Sequence, residues 1–382
     1  MMKSFDELFT KLAPRYLAFW ARYVLAAHNP RIVGITGSVG KTTTKEIIAA
    51  TLAQPEAQPA VGRVRKTAGN MNNNVGLPLT VLGYDDWPGS LRGWIKTLLT
   101  VPLRAMAVAR SSEYPDVLVL EYAAGWDGDV PRLARVAPPT VAVVTAIGPA
   151  HLERFRTVEG VAEHKAALVK AVPASGLVVL GADTPHSAAM AVHSVAPVRL
   201  VCGRGRELAT NAARVVAEYF QLPGDSVERA LTNPIRTSGR LDVKELEELT
   251  LIDDSFNANP LSMKFALDSF GQIAKSSQRR VAILGNMAEL GDASYRYHHE
   301  LGAYVAGRAD LLIAVGTHAR RYGGHYWFPD AQSCATALPS IIQRGDCVLV
   351  KGSHSVGLRV VAKSLRKLIE ERAVRNSADQ PL

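Results

Sequence analysis

Arg31 to Thr44 reads RIVGITGSVGKTTT, and the rest of the chain is organised around it. The apolar run Ile32, Val33 and Ile35 has the pattern of a buried strand. It breaks at Thr36-Gly37-Ser38-Val39-Gly40, and Lys41-Thr42-Thr43-Thr44 opens a helix that continues through Ile47, Ile48 and Leu52. Strand, glycine turn, Lys-Thr and helix form the recipe for holding a triphosphate. Gly37, Ser38 and Gly40 let backbone N–H groups approach phosphate oxygens, with Thr43 at the same helix start. Lys41 neutralises the β/γ charge, and the Thr42 hydroxyl can ligate Mg²⁺. Ile35 stands where the longer form of the motif has a glycine, which leaves the short Gly-x-x-Gly-Lys-Thr form. The stretch predicts ATP or GTP binding.

The chain has 382 residues, 47% hydrophobic and 21% charged, a globular composition long enough for two or three cored domains. Its formal charge of +9 suits anionic ligands such as nucleotides, acidic peptides or a membrane face. No run of basic residues is interleaved with aromatics, so no nucleic-acid partner is expected. Cys202, Cys334 and Cys347 lack paired spacing and fit buried thiols in a reducing compartment. No apolar stretch reaches the ~18 residues of a membrane span, and the start lacks a signal-peptide layout. The expected location is cytoplasmic. Residues 16–28 (YLAFWARYVLAAH) and 94–110 (WIKTLLTVPLRAMAVAR) mix apolar and basic residues as interfacial helices do. They suit either a peripheral membrane contact or packing on the nucleotide domain.

Taken in order, residues 1–29 read as a helical segment. The Asn- and Gly-rich Lys66–Pro78 predicts a polar loop. Strands at 61–66, 116–122, 140–147, 177–181 and 197–201 alternate with helices at 157–172, 184–193 and 206–220, with Thr157 as an N-cap. Thr232–Leu241 carries Pro, Gly and Ser without a hydrophobic period and marks a boundary. Strands at 249–253, 281–285, 311–315 and 347–351 follow, with helices near 260–273, 294–307, 331–342 and 354–373. The class is α/β: a central parallel-sheet domain with the phosphate loop (30–235), then a smaller Rossmann-like α/β domain (236–382).

Three polar features fall at carboxyl ends of strands, where open parallel sheets bind ligands: the phosphate loop, Glu121 after VLVL, and His151 after VAVVTAIGPA. A carboxylate and an imidazole beside a triphosphate site suggest a second divalent cation. His298 and His299 are read as structural or surface residues.

The stretches ITGSVGKTTTKE, TAGNMNNNVGLPLTVL, VLEYAAGWDGDV, VTAIGPAHLERF, EGVAEHKAALV, DDSFNANPLSM, LGNMAELGD and LVKGSHS occur in one order over about residues 31–365. With them the chain resembles the Mur ligase family, and within it the branch that adds D-alanyl-D-alanine. The resemblance implies an ATP-dependent amide ligase. ATP phosphorylates a substrate carboxylate, and an amine attacks the acyl phosphate. By the same resemblance Lys41 and Thr42 hold the phosphates and the first of two Mg²⁺ ions, and Glu121 and His151 ligate metal. Lys165 matches a lysine carried as a carbamate, an anion able to support the second Mg²⁺. Asn72, Asn73 and Asn74 approach the phosphates and the acyl-bearing substrate, and Asn257 and Asn259 belong to the NANP signature of D-Ala-D-Ala-type acceptors. Arg240 reaches the nucleotide from the linker, Asp254 holds the ribose, Asn211 meets adenine, and the C-terminal domain closes about Ser238-Gly239. The implied partners are a peptide-bearing carboxylate and an amino-acid or dipeptide amine.

The sequence departs from the family at several points. Only about 30 residues precede the first strand, where the family has a domain that grips a UDP-sugar, so that domain is expected to be missing. A β-rich segment after Val201 is shortened, and Glu207-Leu208 replaces His-Asn. Phe256, Asn286 and His354 replace Tyr, Asp and Arg. Three readings stay open: a ligase adding D-Ala-D-Ala to a cell-wall precursor, a ligase acting on a non-UDP acidic peptide or lipid-linked substrate, and a nucleotide-binding scaffold.

Overall fold

The computed structural model describes residues 2–125, 129–182, 185–232, 239–246 and 249–378, with the backbone alone for 2–11, 246 and 371–378. The chain divides into two compact units, residues 1–147 with 157–235, and residues 148–156 with 236–382. Ser238 of the expected hinge lies outside the described residues, as does the Trp126-Asp127-Gly128 stretch.

The first unit is built on a six-stranded sheet. Its strands are β1 (Arg31–Thr36), β2 (Val64–Lys66), β3 (Val117–Glu121), β4 (Val141–Val144), β5 (Leu177–Gly181) and β6 (Val198–Val201), in the order β2-β3-β1-β4-β5-β6. Every pairing is parallel. Strands covered by helices on both faces need continuous apolar runs, and β3 and β4 are buried throughout. Val33, Ile35, Val119, Val143 and Val179 form one core with Ile47, Ile48 and Leu52 of the helix Lys41–Leu52 and Ala209, Ala213 and Val216 of the helix Arg206–Tyr219. Parallel register sets Ile35 against Glu121 and Thr36 against Val144, so the phosphate loop and Glu121 leave the sheet at the same edge. The helix Met2–His28 runs continuously through Pro14 and packs beside the helix Leu91–Ala109.

The second unit carries β7 (Asp242–Leu246), β8 (Leu249–Asp254), β9 (Arg280–Gly285), β10 (Leu311–Val315), β11 (Tyr326–Phe328) and β12 (Cys347–Lys351), ordered β11-β10-β9-β12-β8-β7. β7 pairs antiparallel with β8, and the other pairings are parallel. Neither β7 nor β11 was anticipated from sequence. β7 reads DVKEL, half polar beside a turn-rich stretch, and β11 is three residues long. Leu251, Ile283, Ile313, Val348 and Leu365 lie in its core.

Two smaller expectations divide. Cys334 and Cys347 are buried, but Cys202 is exposed, because β6 is an edge strand and Cys202 begins the loop leaving it. His298 is buried and His299 exposed. His298 Nδ1–H donates to the Ser294 carbonyl (2.7 Å) and Nε2 accepts from Met287 N–H (3.0 Å). Burial lowers its pKa to about 4, so the ring is a neutral structural strut.

Candidate active site

The first unit gathers its polar residues at the carboxyl edge of β1 and β3. Gly37 has φ of +145° and Gly40 of +88°, and a Cβ on Gly37 would sit 1.9 Å from Thr145 Oγ1. Only glycine fits there. The turn is fixed from behind by Ser38 N–H donating to the Ala146 carbonyl (2.7 Å) and Thr145 Oγ1 donating to the Val39 carbonyl (2.6 Å). Lys41 Nζ folds back to the Gly37 carbonyl (2.9 Å), which caps the loop with a cation.

Glu121 is buried, and both of its oxygens are held. Thr42 Oγ1 donates to Oε2 (2.7 Å) and Asn72 Nδ2 to Oε1 (2.9 Å). Thr67 Oγ1 accepts the Glu121 backbone N–H (3.1 Å). The sequence reading gave Thr42 to the first Mg²⁺ and Glu121, with His151, to metal without pairing them, and the structure places Thr42 and Glu121 in direct contact.

Lys165 lies on the helix Val158–Lys170, whose start is capped by Thr157 accepting from Gly160 N–H (3.1 Å) as expected. Its side chain is buried, and its pKa is driven well below the usual lysine range by burial first, then by the Lys41 charge, with Glu121 opposing. Lowering the pKa of a lysine favours its uncharged amine, the form that can take up carbon dioxide.

The Asn-rich loop divides its work. Asn74 Nδ2 donates to Asp129 Oδ1, while Asn74 Oδ1 is buried with no hydrogen-bond partner among the described residues. Asn73 Oδ1 accepts from Val75 N–H and Gly76 N–H and so starts the helix Gly76–Val81. Asn73 is thus a capping residue.

Several residues here carry no assigned role in the sequence reading. Asp129 holds Asn74 and accepts from Gly125 N–H (3.2 Å). Lys45 is buried and donates to the Thr67 carbonyl (2.6 Å), with Glu46 paired at 2.9 Å. Both fall in the quoted stretches WDGDV and KTTTKE, which signalled the positions but not the contacts.

The donor set suits a hard cation. The Glu121 carboxylate and the Thr42 hydroxyl, in contact with one another, offer oxygen donors. Among the described residues no three His, Cys, Asp or Glu side chains form a ready-made cage. A cation here would rest on few protein oxygens, as Mg²⁺ sites beside phosphates do.

Asn211 stands apart from this cluster. Its Nδ2 donates to the Cys202 carbonyl (2.9 Å), and its Oδ1 accepts from Arg214 (2.8 Å).

The second unit holds the remaining expected residues. Asp254, at the end of β8, receives Lys351 Nζ (2.6 Å) and Leu241 N–H (3.2 Å). Burial raises its pKa, with Lys351 opposing. Lys351 Nζ also donates to the Asn257 carbonyl (2.9 Å), which ties the NANP stretch to β12. Asn257 Oδ1 accepts Ala258 N–H (2.9 Å), and Asn259 forms a capping box with Ser262 at the start of the helix Pro260–Ile273. The Arg240 guanidinium lies 4.1 Å from the Phe256 ring centre, with Arg359 at 5.1 Å from the same ring. His151, in the segment that belongs to this unit, bonds through Nδ1 to the Glu289 carboxylate.

Comparison with known proteins agrees with this arrangement. The family model of the Mur ligase middle domain matches residues 35–87 and 97–221, and that of the Mur ligase glutamate ligase domain matches residues 239–354. The chain is 32% identical to the UDP-N-acetylmuramoyl-tripeptide–D-alanyl-D-alanine ligase of Mycobacterium tuberculosis, covering 89% of this chain and 74% of that one. It is 29% identical to the ligase of the same name from Escherichia coli, covering 94% and 81%. The crystal structure of a MurF ligase from Thermotoga maritima in complex with ADP superposes with a TM-score of 0.76 at 25% identity, over 94% of this chain and 84% of that one. The phosphate loop, the gripped Glu121 and the two matched domains together place the chain in the Mur ligase family.

Proposed function

We propose that this ATP-dependent ligase joins the carboxylate of a cell-wall peptide precursor to the amine of D-alanyl-D-alanine or a close dipeptide. The observation that carries the site assignment is the buried set in which Thr42 and Asn72 grip Glu121, with Lys165 buried where the Lys41 charge opposes its own. The γ-phosphate of ATP passes to the carboxylate, the amine attacks the acyl phosphate, and inorganic phosphate leaves. Transfer between two anions needs concentrated positive charge, and Lys41 on its glycine turn supplies part of it. Mg²⁺, when bound, would neutralise the phosphates. Thr42, Glu121 and a carbamate on Lys165 would hold it. The metal-ligand role expected of His151 rests on its motif alone. Asp254 and Arg240 are the proposed nucleotide contacts of the second unit, where Lys351 and Phe256 hold them. Asn211 keeps its proposed adenine role through whichever face its bonds to Cys202 and Arg214 leave open.

The test is phosphate release with ATP, a UDP-linked muramoyl tripeptide and D-alanyl-D-alanine, run beside free acidic peptides with the same dipeptide. Release that requires both the UDP-linked peptide and the dipeptide supports the proposal. Release with free acidic peptides alone overturns the donor, and none at saturating substrates overturns the reading.

A further inference from the structure

The helices Met2–His28 and Leu91–Ala109 lie side by side in the first unit. Tyr16 Oη donates to the Leu98 carbonyl (3.1 Å), and His28 Nε2 meets the Val108 carbonyl (2.8 Å). Their inner faces are buried through Leu17, Ala21 and Val24 on one helix and Thr97, Val101 and Ala105 on the other. An ordinary surface helix would turn a polar face outward. These two do not. Leu12, Tyr16, Phe19 and Tyr23 share the outer face of the first helix at helical spacing. On the second, Leu91, Ile95, Leu99 and Leu103 recur at every fourth position. Phe19 is 57% exposed, Leu91 66%, Leu99 74% and Leu103 71%. Monomers rarely leave an apolar surface of this kind bare.

Two further features say what covers it. The first is charge. Arg15, Arg22, Arg92, Lys96 and Arg110 are all exposed, and 12–28 and 91–110 contain no Asp or Glu, the two acids of the first helix, Asp6 and Glu7, lying near its start. A protein partner or a second copy would account for the apolar residues but not for the exclusion of acids. An anionic headgroup layer accounts for both. The second is the aromatic content of the outer turn. Phe19 and Trp20 meet edge to face at 5.2 Å, and Trp20 and Tyr23 at 5.8 Å. Such amphipathic rings favour the headgroup level of a bilayer. Among the described residues no helix is long and apolar enough to cross a membrane, so the contact is in the plane of the surface. The whole first helix, with Leu91 and Ile95 of the second, also lies outside the region matched by the middle-domain model.

We propose that this two-helix face docks the protein on an anionic phospholipid surface. The test is flotation of the full chain with vesicles of phosphatidylglycerol and phosphatidylcholine in equal parts, against phosphatidylcholine alone. Binding is expected only to the anionic vesicles and is expected to fall as salt is raised. Arg92→Gln with Lys96→Gln should weaken it about tenfold or more. Phe19→Ser with Leu99→Ser and Leu103→Ser should weaken it as much, with vesicle-free ATP turnover unchanged. Should the triple variant misfold, the charge variant decides. No binding to anionic vesicles, equal binding to neutral ones, or a wild-type dimer in sedimentation that the triple variant dissociates would overturn the proposal.

Discussion

His151 and Glu289 meet side chain to side chain while both hold left-handed backbone conformations, with φ of +55° and +60°. Non-glycine residues rarely accept this, and the surrounding structure must impose it. The backbone shares the task, since Glu153 N–H donates to the Glu289 carbonyl (3.1 Å). His151→Ala and Glu289→Ala should therefore lower ligase turnover non-additively, the double variant costing little more than the worse single one. A double-mutant cycle on ATP turnover checks this, and full additivity would contradict it. The imidazole holds the Glu289 carboxyl below its usual range. That stabilisation is present above the unfolded carboxyl pKa of about 4.3 and is lost as pH falls through the lower folded value. Glu289→Gln should flatten this acid limb in a denaturation series.

Thr42 and Glu121 form a buried pair at 2.7 Å. Thr42→Ala strips one donor from a buried carboxylate, at a cost of about 1–3 kcal/mol in stability. The Mg²⁺ concentration for half-maximal turnover should rise about tenfold or more. Thr42→Ser keeps the hydroxyl and should retain most activity. A magnesium titration of all three proteins reads the difference.

Lys165 has a depressed pKa in the fold. Between its folded value and the unfolded value of about 10.4, the unfolded chain holds more protons, so stability rises with pH across that window. Lys165→Met should raise stability at pH 7 by on the order of 1 kcal/mol in buffer stripped of carbon dioxide, and abolish ligation. Adding ¹³C-bicarbonate to the wild type should produce a carbamate carbon signal that Lys165→Arg lacks. Absence of that signal under turnover conditions would rule the carbamate out.

Asp254 and Lys351 form a buried ion pair at 2.6 Å. Lys351→Met leaves a carboxylate buried without its cation, and a loss of about 3–5 kcal/mol is expected. Burial already raises the Asp254 pKa. The folded protein therefore binds the proton more tightly, and the loss should be larger at pH 8 than at pH 5. Asp254→Asn in the same chain should recover part of it. Urea unfolding at both pH values measures each variant.

Gly37→Ala places a Cβ 1.9 Å from Thr145 Oγ1 at a φ of +145°. Loss of nucleotide binding and of about 1–3 kcal/mol in stability is expected. Isothermal titration with ADP and a thermal melt separate the two effects.

The strand and helix pattern was legible because buried parallel strands must be apolar throughout, as β3 and β4 are. β7 escaped because an edge strand can stay half polar, and β11 because three residues carry no period. Glu121 and Lys165 could be found from their motifs, yet their contacts could not. The Thr42–Glu121 bond depends on parallel register, which residue identity does not encode locally. Lys45, Asp129, Lys351 and Glu289 all lay inside quoted motifs, but each also bonds a residue more than 20 positions away in sequence. Asn73 and Asn259 show the opposite limit, since their capping bonds are local and legible from asparagine before a helix.

Lys45 links three pieces of chain that a substrate must find in order. It stands on the helix that follows the phosphate loop and donates to the Thr67 carbonyl at the start of the Asn-rich loop. The Thr67 hydroxyl in turn receives the Glu121 N–H. Loop, helix and strand edge are thereby locked into one triangle before any ligand arrives. The disorder that the thirteen Asn- and Gly-rich residues from Lys66 to Pro78 would otherwise retain is removed during folding. A nucleotide thus meets a surface already set, and its binding energy is left for the reacting phosphate rather than for arranging the asparagines.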